Sequence, residues 1–160
     1  MSYKAVVFDL DYTLWPCWCD THISTPLKLH KSKKNTVVDK YGYEVTLYED
    51  VVPIFEYLRS KNIKIFTASR TASPPTAKKL IKLFNLEKYI DDSEWGWGSK
   101  KNHISKLAGR NDIDPSEMCL FDDEYRNKDV EEIGVKFCYL PNEKLTWSEF
   151  NKHINPSHEH

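Results

Sequence analysis

The sequence predicts a three-layer, doubly wound α/β domain with a mostly parallel central sheet. Short apolar runs, typical of strands buried on both faces, alternate with stretches whose apolar residues recur at helical spacing. Polar residues directly follow each apolar run. The chain has 160 residues, 40% of them hydrophobic and 29% charged, which suits a single domain with a buried core.

The pattern assigns individual elements along the chain. Strands are predicted over residues 4–8, 63–68, 118–121 and 135–140, and helices over residues 50–61, 75–84, 101–108, 128–133 and 146–154. Asp50 and Thr146 are residue types that cap helix N-termini, and Gly134 is typical of a helix end. Residues 1–154 are therefore expected to form one domain, with residues 155–160 as a disordered tail.

Residues 17–48 interrupt the alternation of strands and helices. This segment is polar and lysine-rich, and its second half contains two β-rich runs around Lys40-Tyr41-Gly42, which predicts a small β-hairpin. The segment leaves from the carboxyl edge of the sheet, so we expect a flap over a site there. It is too short for an independent domain, and no large cap domain is predicted.

Functional side chains follow several of the predicted strands. In α/β sheets, chemistry gathers at the carboxyl ends of the strands, so these side chains are expected to converge. The candidates are Asp9, Asp11, Ser69, Arg70, Lys100, Asp122 and Asp123.

Four carboxylates at one edge of a sheet repel one another and stay ionised only if cations compensate them. Lys100 supplies one positive charge, and Mg²⁺ is the divalent ion best suited to oxygen ligands and a substrate phosphate. A carboxylate such as Asp9 can attack phosphorus and form an aspartyl-phosphate. Asp11, two residues later, can protonate the leaving oxygen and then activate water. These residues predict a magnesium-dependent phosphatase.

The same residues resemble the four motifs of the haloacid dehalogenase (HAD) superfamily: Asp9-x-Asp11-x-Thr13, Ser69, Lys100 and Asp122-Asp123. More narrowly, the segments FDLDYTLWP, ASRT, GSK and FDDE are similar to the small eukaryotic magnesium-dependent phosphatase family. The resemblance covers nearly the whole chain. It implies a capless HAD-like fold that acts on phosphate monoesters, with phosphotyrosine and phosphorylated sugars as candidate substrates.

The resemblance also implies a role for each residue. Asp9 would be the nucleophile and Asp11 the acid/base. Ser69, Lys100 and backbone amides near Leu10 would hold the phosphate, and Arg70 would contact the substrate. The metal set would comprise Asp9, Asp11 through its backbone carbonyl, Asp122 and Asp123, with Asp123 as the direct ligand of the acidic pair and Asp122 as its support.

Several alternatives stay open or are excluded on the sequence. A phosphotransferase and a receiver-like phospho-aspartate signalling module use similar residues. A calcium loop is excluded, because its sixth and twelfth positions would be Leu14 and Asp20 in place of Gly and Glu. The net charge of −1 disfavours a nucleic-acid 3′-phosphatase, and neither a nucleic-acid nor a membrane partner is expected. The expected partner is a phosphorylated small molecule or phosphoprotein.

The remaining expectations concern cysteines, tryptophans and location. Cys17, Cys19, Cys119 and Cys138 are expected to be reduced structural thiols. Packing beneath the hairpin is favoured for Trp15, Trp18, Trp95 and Trp97 over a role as a stacking platform for a substrate ring. The sequence has no signal-peptide pattern and no membrane-spanning run, which favours a location in the cytoplasm, or also in the nucleus. A monomer is expected.

Overall fold

The computed structural model describes residues 3–154, in which two sheets and several helices form. The strands are β1 (Ala5–Phe8), β2 (Lys28–Leu29), β3 (Thr36–Val38), β4 (Glu44–Thr46), β5 (Lys64–Ser69), β6 (Asp92–Trp95), β7 (Met118–Asp122) and β8 (Lys136–Tyr139). The helices are α1 (Val51–Ser60), α2 (Pro74–Leu83), α3 (Lys100–Asn111) and α4 (Trp147–Ile154), with 3₁₀ turns at Pro115–Glu117 and Tyr125–Ile133.

The larger sheet is five-stranded and parallel throughout, in the order β6-β5-β1-β7-β8. β1 lies at its centre, and Phe8 pairs with Thr67 of β5 and with Phe121 of β7. The residues that follow these three strands therefore emerge side by side at the carboxyl edge. The predicted three-layer α/β architecture is confirmed.

Two apolar layers cover the faces of this sheet. One face packs against α1, α2 and α4, and includes Phe8, Phe121 and Phe150, whose rings stack in series with centroid distances of 5.6 Å for each step. The other face, which includes Phe66, packs against α3 and the 3₁₀ turn Tyr125–Ile133. The buried, alternately directed side chains of β1 serve both layers, which explains why its sequence is a continuous apolar run.

Most of the predicted elements are present, with two differences. Strand β6 was not predicted, because its sequence Asp-Ser-Glu-Trp is polar; it lies at the sheet edge and is only partly buried. The predicted helix over residues 128–133 is a 3₁₀ turn that begins at Tyr125, and it ends at Gly134, whose φ of 99° suits glycine.

Of the two predicted helix caps, one is present and the other is not. Thr146 caps α4 as predicted, because its Oγ1 accepts a hydrogen bond from the Glu149 amide at 3.2 Å. Asp50 precedes α1, but its side chain does not cap that helix. Its Oδ2 instead accepts from the amide of Trp147 at 3.0 Å and so ties the start of α4 to the start of α1.

The segment over residues 17–48 contains the predicted hairpin, formed by β3 and β4, and β2 adds a third antiparallel strand. Asp39 stabilises the turn, because its carboxylate accepts backbone hydrogen bonds from Tyr41 and Tyr43. Val37 and Val45 are buried in the main core, so the hairpin is packed onto the domain. The disordered tail predicted for residues 155–160 lies outside the described residues.

Two further observations concern the whole described chain. All four cysteines lie within it, and each is free and buried, as expected. None of the helices among residues 3–154 is both long and apolar enough to cross a lipid bilayer.

The ring stack predicts that Phe150 of α4 contributes to the free energy of unfolding. Replacing Phe150 with Ala removes a fully buried ring and leaves a cavity against Phe121, so Phe150→Ala should lower the free energy of unfolding by about 3–5 kcal/mol. Urea denaturation followed by far-UV circular dichroism measures this change. Lys152→Ala, in the same helix but on its exposed side, is the control and should leave the midpoint nearly unchanged.

Candidate active site

The loop after β1 holds Asp9 at the carboxyl edge of the sheet. The amide of Asp9 donates to the carbonyl of Phe121 at 3.0 Å, which continues the strand pairing to the last residue before the loop. The chain then turns tightly: the amides of Thr13 and Leu14 both donate to the carbonyl of Leu10, and Tyr12 adopts a φ of 57°. The turn places Asp9 and Asp11 at the wall of a cavity.

Three carboxylates meet around one buried lysine. Single oxygen atoms of Asp9, Asp122 and Asp123 lie within 4.8 Å of one another. Lys100, at the start of α3, donates to Asp9 Oδ1 at 3.0 Å and to Asp122 Oδ2 at 2.6 Å. Three carboxylates and one ammonium leave two negative charges when all are ionised, and a divalent cation compensates that excess.

The electrostatics of the cluster follow from this crowding. Burial and the neighbouring carboxylate of Asp122 raise the pKa of Asp9, while the Lys100 ammonium opposes the shift. Burial raises the pKa of Asp123 to about 7. Burial disfavours the charged form of Lys100, but the carboxylates of Asp122 and Asp9 outweigh it and raise its pKa. The ionised carboxylates of the cluster therefore repel one another, and a bound cation would reduce this repulsion.

The two adjacent acids of the cluster differ in their hydrogen bonds. Asp122 Oδ2 accepts from Lys100 and from Asn127 Nδ2 at 2.9 Å, and its Oδ1 accepts from the amide of Glu124 at 2.9 Å. Within the described part of the chain, Asp123 Oδ1 is buried and has no hydrogen-bond partner. A buried carboxylate oxygen without a donor fits a hard cation, so the residues present suit Mg²⁺.

Asp11 occupies a different place from the three clustered acids. Its Oδ1 accepts from Trp15 Nε1 at 2.8 Å and from the amide of Cys19 at 3.1 Å. Its carboxylate is not part of the cluster around Lys100, although it lines the same cavity. Burial raises the pKa of Asp11, and these two hydrogen bonds partly offset the shift. Of the four carboxylates expected to converge, three form the cluster, and the fourth, that of Asp11, lines the same cavity.

A cavity of about 320 Å³ opens beside the cluster. Its lining includes five of the predicted residues, whereas Lys100 and Asp122 are buried and do not line it, and the side chain of Leu10 is buried in the core. The residues that line it are Asp9, Asp11, Trp18, Asp20, Thr21, Ser69, Arg70, Thr71, Asp123, Glu124 and Arg126.

The sequence had not assigned roles to Asp20, Thr21, Thr71, Glu124 or Arg126. The last two stand in the motif segment after β7, so their proximity to Asp123 was the available signal. The others come from loops whose course only the fold determines.

Side chains at the carboxyl end of β5 are held by hydrogen bonds to neighbouring residues. Ser69 Oγ accepts from the amide of Thr71 at 3.1 Å. Arg70 Nη2 donates to Asn127 Oδ1 at 2.7 Å, and Asn127 in turn contacts Asp122. Among the described residues, Arg70 Nε is buried and lacks an acceptor. An anionic oxygen in the cavity would supply one.

The tryptophans divide into two kinds, which partly corrects the expectation that all four pack beneath the hairpin. Trp15 is fully buried, and Trp95 Nε1 donates to Thr67 Oγ1 at 2.9 Å. Trp18 is 53% exposed and lines the cavity, and Trp97 is 91% exposed. The hairpin itself does not line this cavity; the turn over residues 18–21 does. The predicted flap thus contributes through its first residues.

Comparison with known proteins identifies the family. The family model of the acid phosphatases matches residues 2–160. The chain belongs to the acid phosphatase family. This chain is 38% identical over 166 residues to a Saccharomyces cerevisiae protein provisionally assigned as a magnesium-dependent phosphatase, covering 92% of this chain and 93% of the relative. It is 42% identical over 140 residues to human magnesium-dependent phosphatase 1, covering 87% of this chain and 78% of the relative.

Comparison of the fold with solved structures agrees with the family match. A HAD-superfamily hydrolase from Ehrlichia chaffeensis superposes with a TM-score of 0.67 at 15% identity, covering 99% of this chain and 98% of that one. Together with the family match, this confirms the resemblance found in the motifs. The chain is a magnesium-dependent phosphatase of the HAD superfamily, and its aspartate cluster fits a catalytic site.

Replacement of the buried lysine, Lys100, is expected to have a large effect on stability. Lys100→Met keeps the length of the side chain but leaves the carboxylates of Asp9 and Asp122 without their cation, and removal of one partner from a buried ion pair costs about 3–5 kcal/mol. Urea denaturation at neutral pH in the presence of a chelator measures the loss.

The adjacent lysine provides the matched control. Lys101 pairs with Glu132 at 3.0 Å on the surface, where solvent screens the interaction. Lys101→Met should therefore leave the urea midpoint almost unchanged. Equal effects of the two substitutions would contradict the view that the Lys100 ammonium holds the cluster together.

Proposed function

We propose that this phosphatase hydrolyses phosphate monoesters in two displacements through an aspartyl-phosphate on Asp9. A carboxylate oxygen of Asp9 attacks phosphorus while the bond to the ester oxygen breaks, and Asp11 donates a proton to that oxygen. Asp11 then takes a proton from water, whose oxygen attacks the same phosphorus and releases phosphate and Asp9. The observation that carries this proposal is the placement of Asp9 in both the carboxylate cluster and the cavity wall, with Asp11 beside it.

The metal would be held by Asp9, by Asp123 and by the backbone carbonyl of Asp11. The unpartnered Oδ1 of Asp123 supports its role as the direct ligand of the acidic pair. Asp122 would act as the support, since both of its oxygens already accept hydrogen bonds. When bound, Mg²⁺ reduces the repulsion between the phosphate and the carboxylates and stabilises charge on the phosphoryl oxygens.

Four groups would hold the phosphate. Ser69 and Arg70 line the cavity on the side of β5. Lys100 lies 3.0 Å from Asp9 and would contact the phosphoryl group once it is attached there. The backbone amide of Leu10 would complete the set. The buried Arg70 Nε, which lacks an acceptor among the described residues, supports a direct contact with an anionic substrate oxygen.

Two alternatives use the same first displacement. A phosphotransferase would pass the phosphoryl group to an alcohol, and a receiver-like module would keep it as a signal. The position of Asp11 on the cavity wall favours rapid discharge to water, because it places an acid/base group beside the phosphorylated residue. Hydrolysis is therefore the proposed activity.

Removal of the nucleophile tests the proposal. Asp9→Asn removes the attacking oxygen and should lower Mg²⁺-dependent phosphate release from an aryl phosphate by at least about 10⁴-fold. Chelation of Mg²⁺ should abolish the wild-type activity, and added Mg²⁺ should restore it. Asp112→Asn is the control, because Asp112 is exposed at the left-handed C-cap of α3, where Asn is equally suitable.

The outcomes separate the alternatives. Full activity of Asp9→Asn would overturn the assignment of the nucleophile. Acid quench of the wild-type enzyme should trap a short-lived phosphoenzyme that hydroxylamine cleaves. A phosphoenzyme that persists for minutes would support the receiver-like module instead, and a phosphorylated alcohol formed in the presence of glycerol would support a phosphotransferase.

The substrate class that we propose is a phosphate monoester with a ring next to the phosphate, either phosphotyrosine or a phosphorylated sugar. The supporting feature is Trp18 at the cavity wall. Its indole stacks on His22 with a centroid distance of 4.9 Å and meets the ring of Tyr12 edge-on at 5.9 Å. This three-ring contact fixes the indole, and its exposed surface offers a flat apolar contact for a substrate ring.

Phosphonate inhibitors test the contribution of Trp18 without the chemical step. Trp18→Leu should raise the inhibition constant of phenylphosphonate by about tenfold, which corresponds to an aromatic contact worth roughly 1.4 kcal/mol, and should leave that of methylphosphonate unchanged. Trp97→Leu removes an even more exposed indole that does not line the cavity, and should change neither constant. An equal loss for both inhibitors in Trp18→Leu would contradict a contact with the ring.

A further inference from the structure

We infer that Trp15 is a positioning residue for Asp11: its indole N–H anchors Oδ1 and thereby makes Oδ2 the oxygen that gives and takes the proton. This inference rests on the proposed function, in which Asp11 is the acid/base. It adds a residue that does not touch the substrate but determines which atom of Asp11 does.

Two donors converge on one oxygen. Trp15 Nε1 lies 2.8 Å from Asp11 Oδ1, and the amide of Cys19 lies 3.1 Å from the same atom. Both are N–H groups that can only donate. When Asp11 is protonated, its proton therefore cannot reside on Oδ1 without displacing a donor, and it must reside on Oδ2. Asp11 lines the cavity, so this proton is offered on the side where the substrate binds.

The anchor is rigid. Trp15 is fully buried, and its ring packs against Phe84 with a centroid distance of 5.9 Å. Its carbonyl accepts from the amide of Tyr12 at 2.7 Å, which closes the loop directly after Asp11. The indole therefore cannot follow a moving carboxylate, and the orientation of Asp11 is set before the substrate arrives.

The same hydrogen bond serves both displacements. In the first, the Oδ2–H bond of Asp11 breaks and the ester oxygen gains the proton as it leaves phosphorus. In the second, a water O–H bond breaks and Oδ2 regains a proton, while the water oxygen bonds to phosphorus and the bond between phosphorus and the Asp9 oxygen breaks. The indole proton stays on nitrogen throughout. Oδ1 accepts the hydrogen bond from the indole N–H in both the acid and the carboxylate form of Asp11. Trp15 thus needs no rearrangement between the two steps.

The dependence on the leaving group tests this inference. p-Nitrophenolate leaves without a proton, whereas an alkoxide needs one. Loss of the indole N–H should therefore lower kcat/KM for ethyl phosphate by about tenfold and that for p-nitrophenyl phosphate by less than about twofold. The quantity kcat/KM reports the first displacement, because it covers the steps up to release of the alcohol.

Two variants remove the N–H. Trp15→Phe is the simple substitution, but it also removes part of a buried ring. Replacement of Trp15 by benzothienylalanine keeps the bicyclic shape and exchanges only the N–H for sulfur, so it remains informative if Trp15→Phe does not fold. The urea midpoint and the Mg²⁺ concentration for half-maximal activity should stay close to those of the wild type in the benzothienylalanine variant.

Trp95 offers the matched control. Its Nε1 also donates to a side-chain oxygen, Thr67 Oγ1 at 2.9 Å, but it has no contact with Asp11. Trp95→Phe should leave the ratio of the two kcat/KM values unchanged. Equal losses on both substrates in the Trp15 variants, or no loss on either, would overturn the positioning role. Retained activity in Asp9→Asn would overturn the proposed function itself, so the two failures are distinguishable.

Discussion

The buried ammonium of Lys100 is the contact on which the arrangement of the site depends. It joins Asp9 after β1 to Asp122 at the end of β7, and it stands at the first residue of α3. A lysine without exposure to water is unfavourable unless its charge is paired, and these carboxylates are unfavourable together unless a cation separates them. Each group thus requires the others. The contact fixes α3 against the carboxyl edge of the sheet.

The sheet makes that contact possible. β1 lies between β5 and β7, so the carboxyl ends of these strands, which carry Asp9, Ser69 and Asp123, are neighbours. The ring stack beneath them, in which Phe8, Phe121 and Phe150 take part, holds the strands at a fixed distance from α4. Packing on the apolar faces and chemistry at the carboxyl edge are therefore consequences of the same strand order.

Hydrogen bonds within the site divide its polar atoms into occupied and available ones. Asp122 is saturated by Lys100, Asn127 and the Glu124 amide, and Asp11 Oδ1 is occupied by Trp15 and the Cys19 amide. Buried polar atoms without partners are unfavourable. Among the described residues, Asp123 Oδ1 and Arg70 Nε remain in that state, and they are the atoms best suited to a cation and an anionic oxygen respectively.

The sequence by itself determined the fold class, the parallel strands and the family, because buried strands carry continuous apolar runs and the motif residues directly follow them. It could not determine β6, whose polar sequence is stabilised by its place beside β5. Only the tertiary structure decided that Asp11 turns to Trp15 and Cys19, and that Trp18 lines the cavity while Trp15 is buried. The physical reason is that strand periodicity is local, whereas the direction of a loop side chain depends on donors and space that distant segments supply.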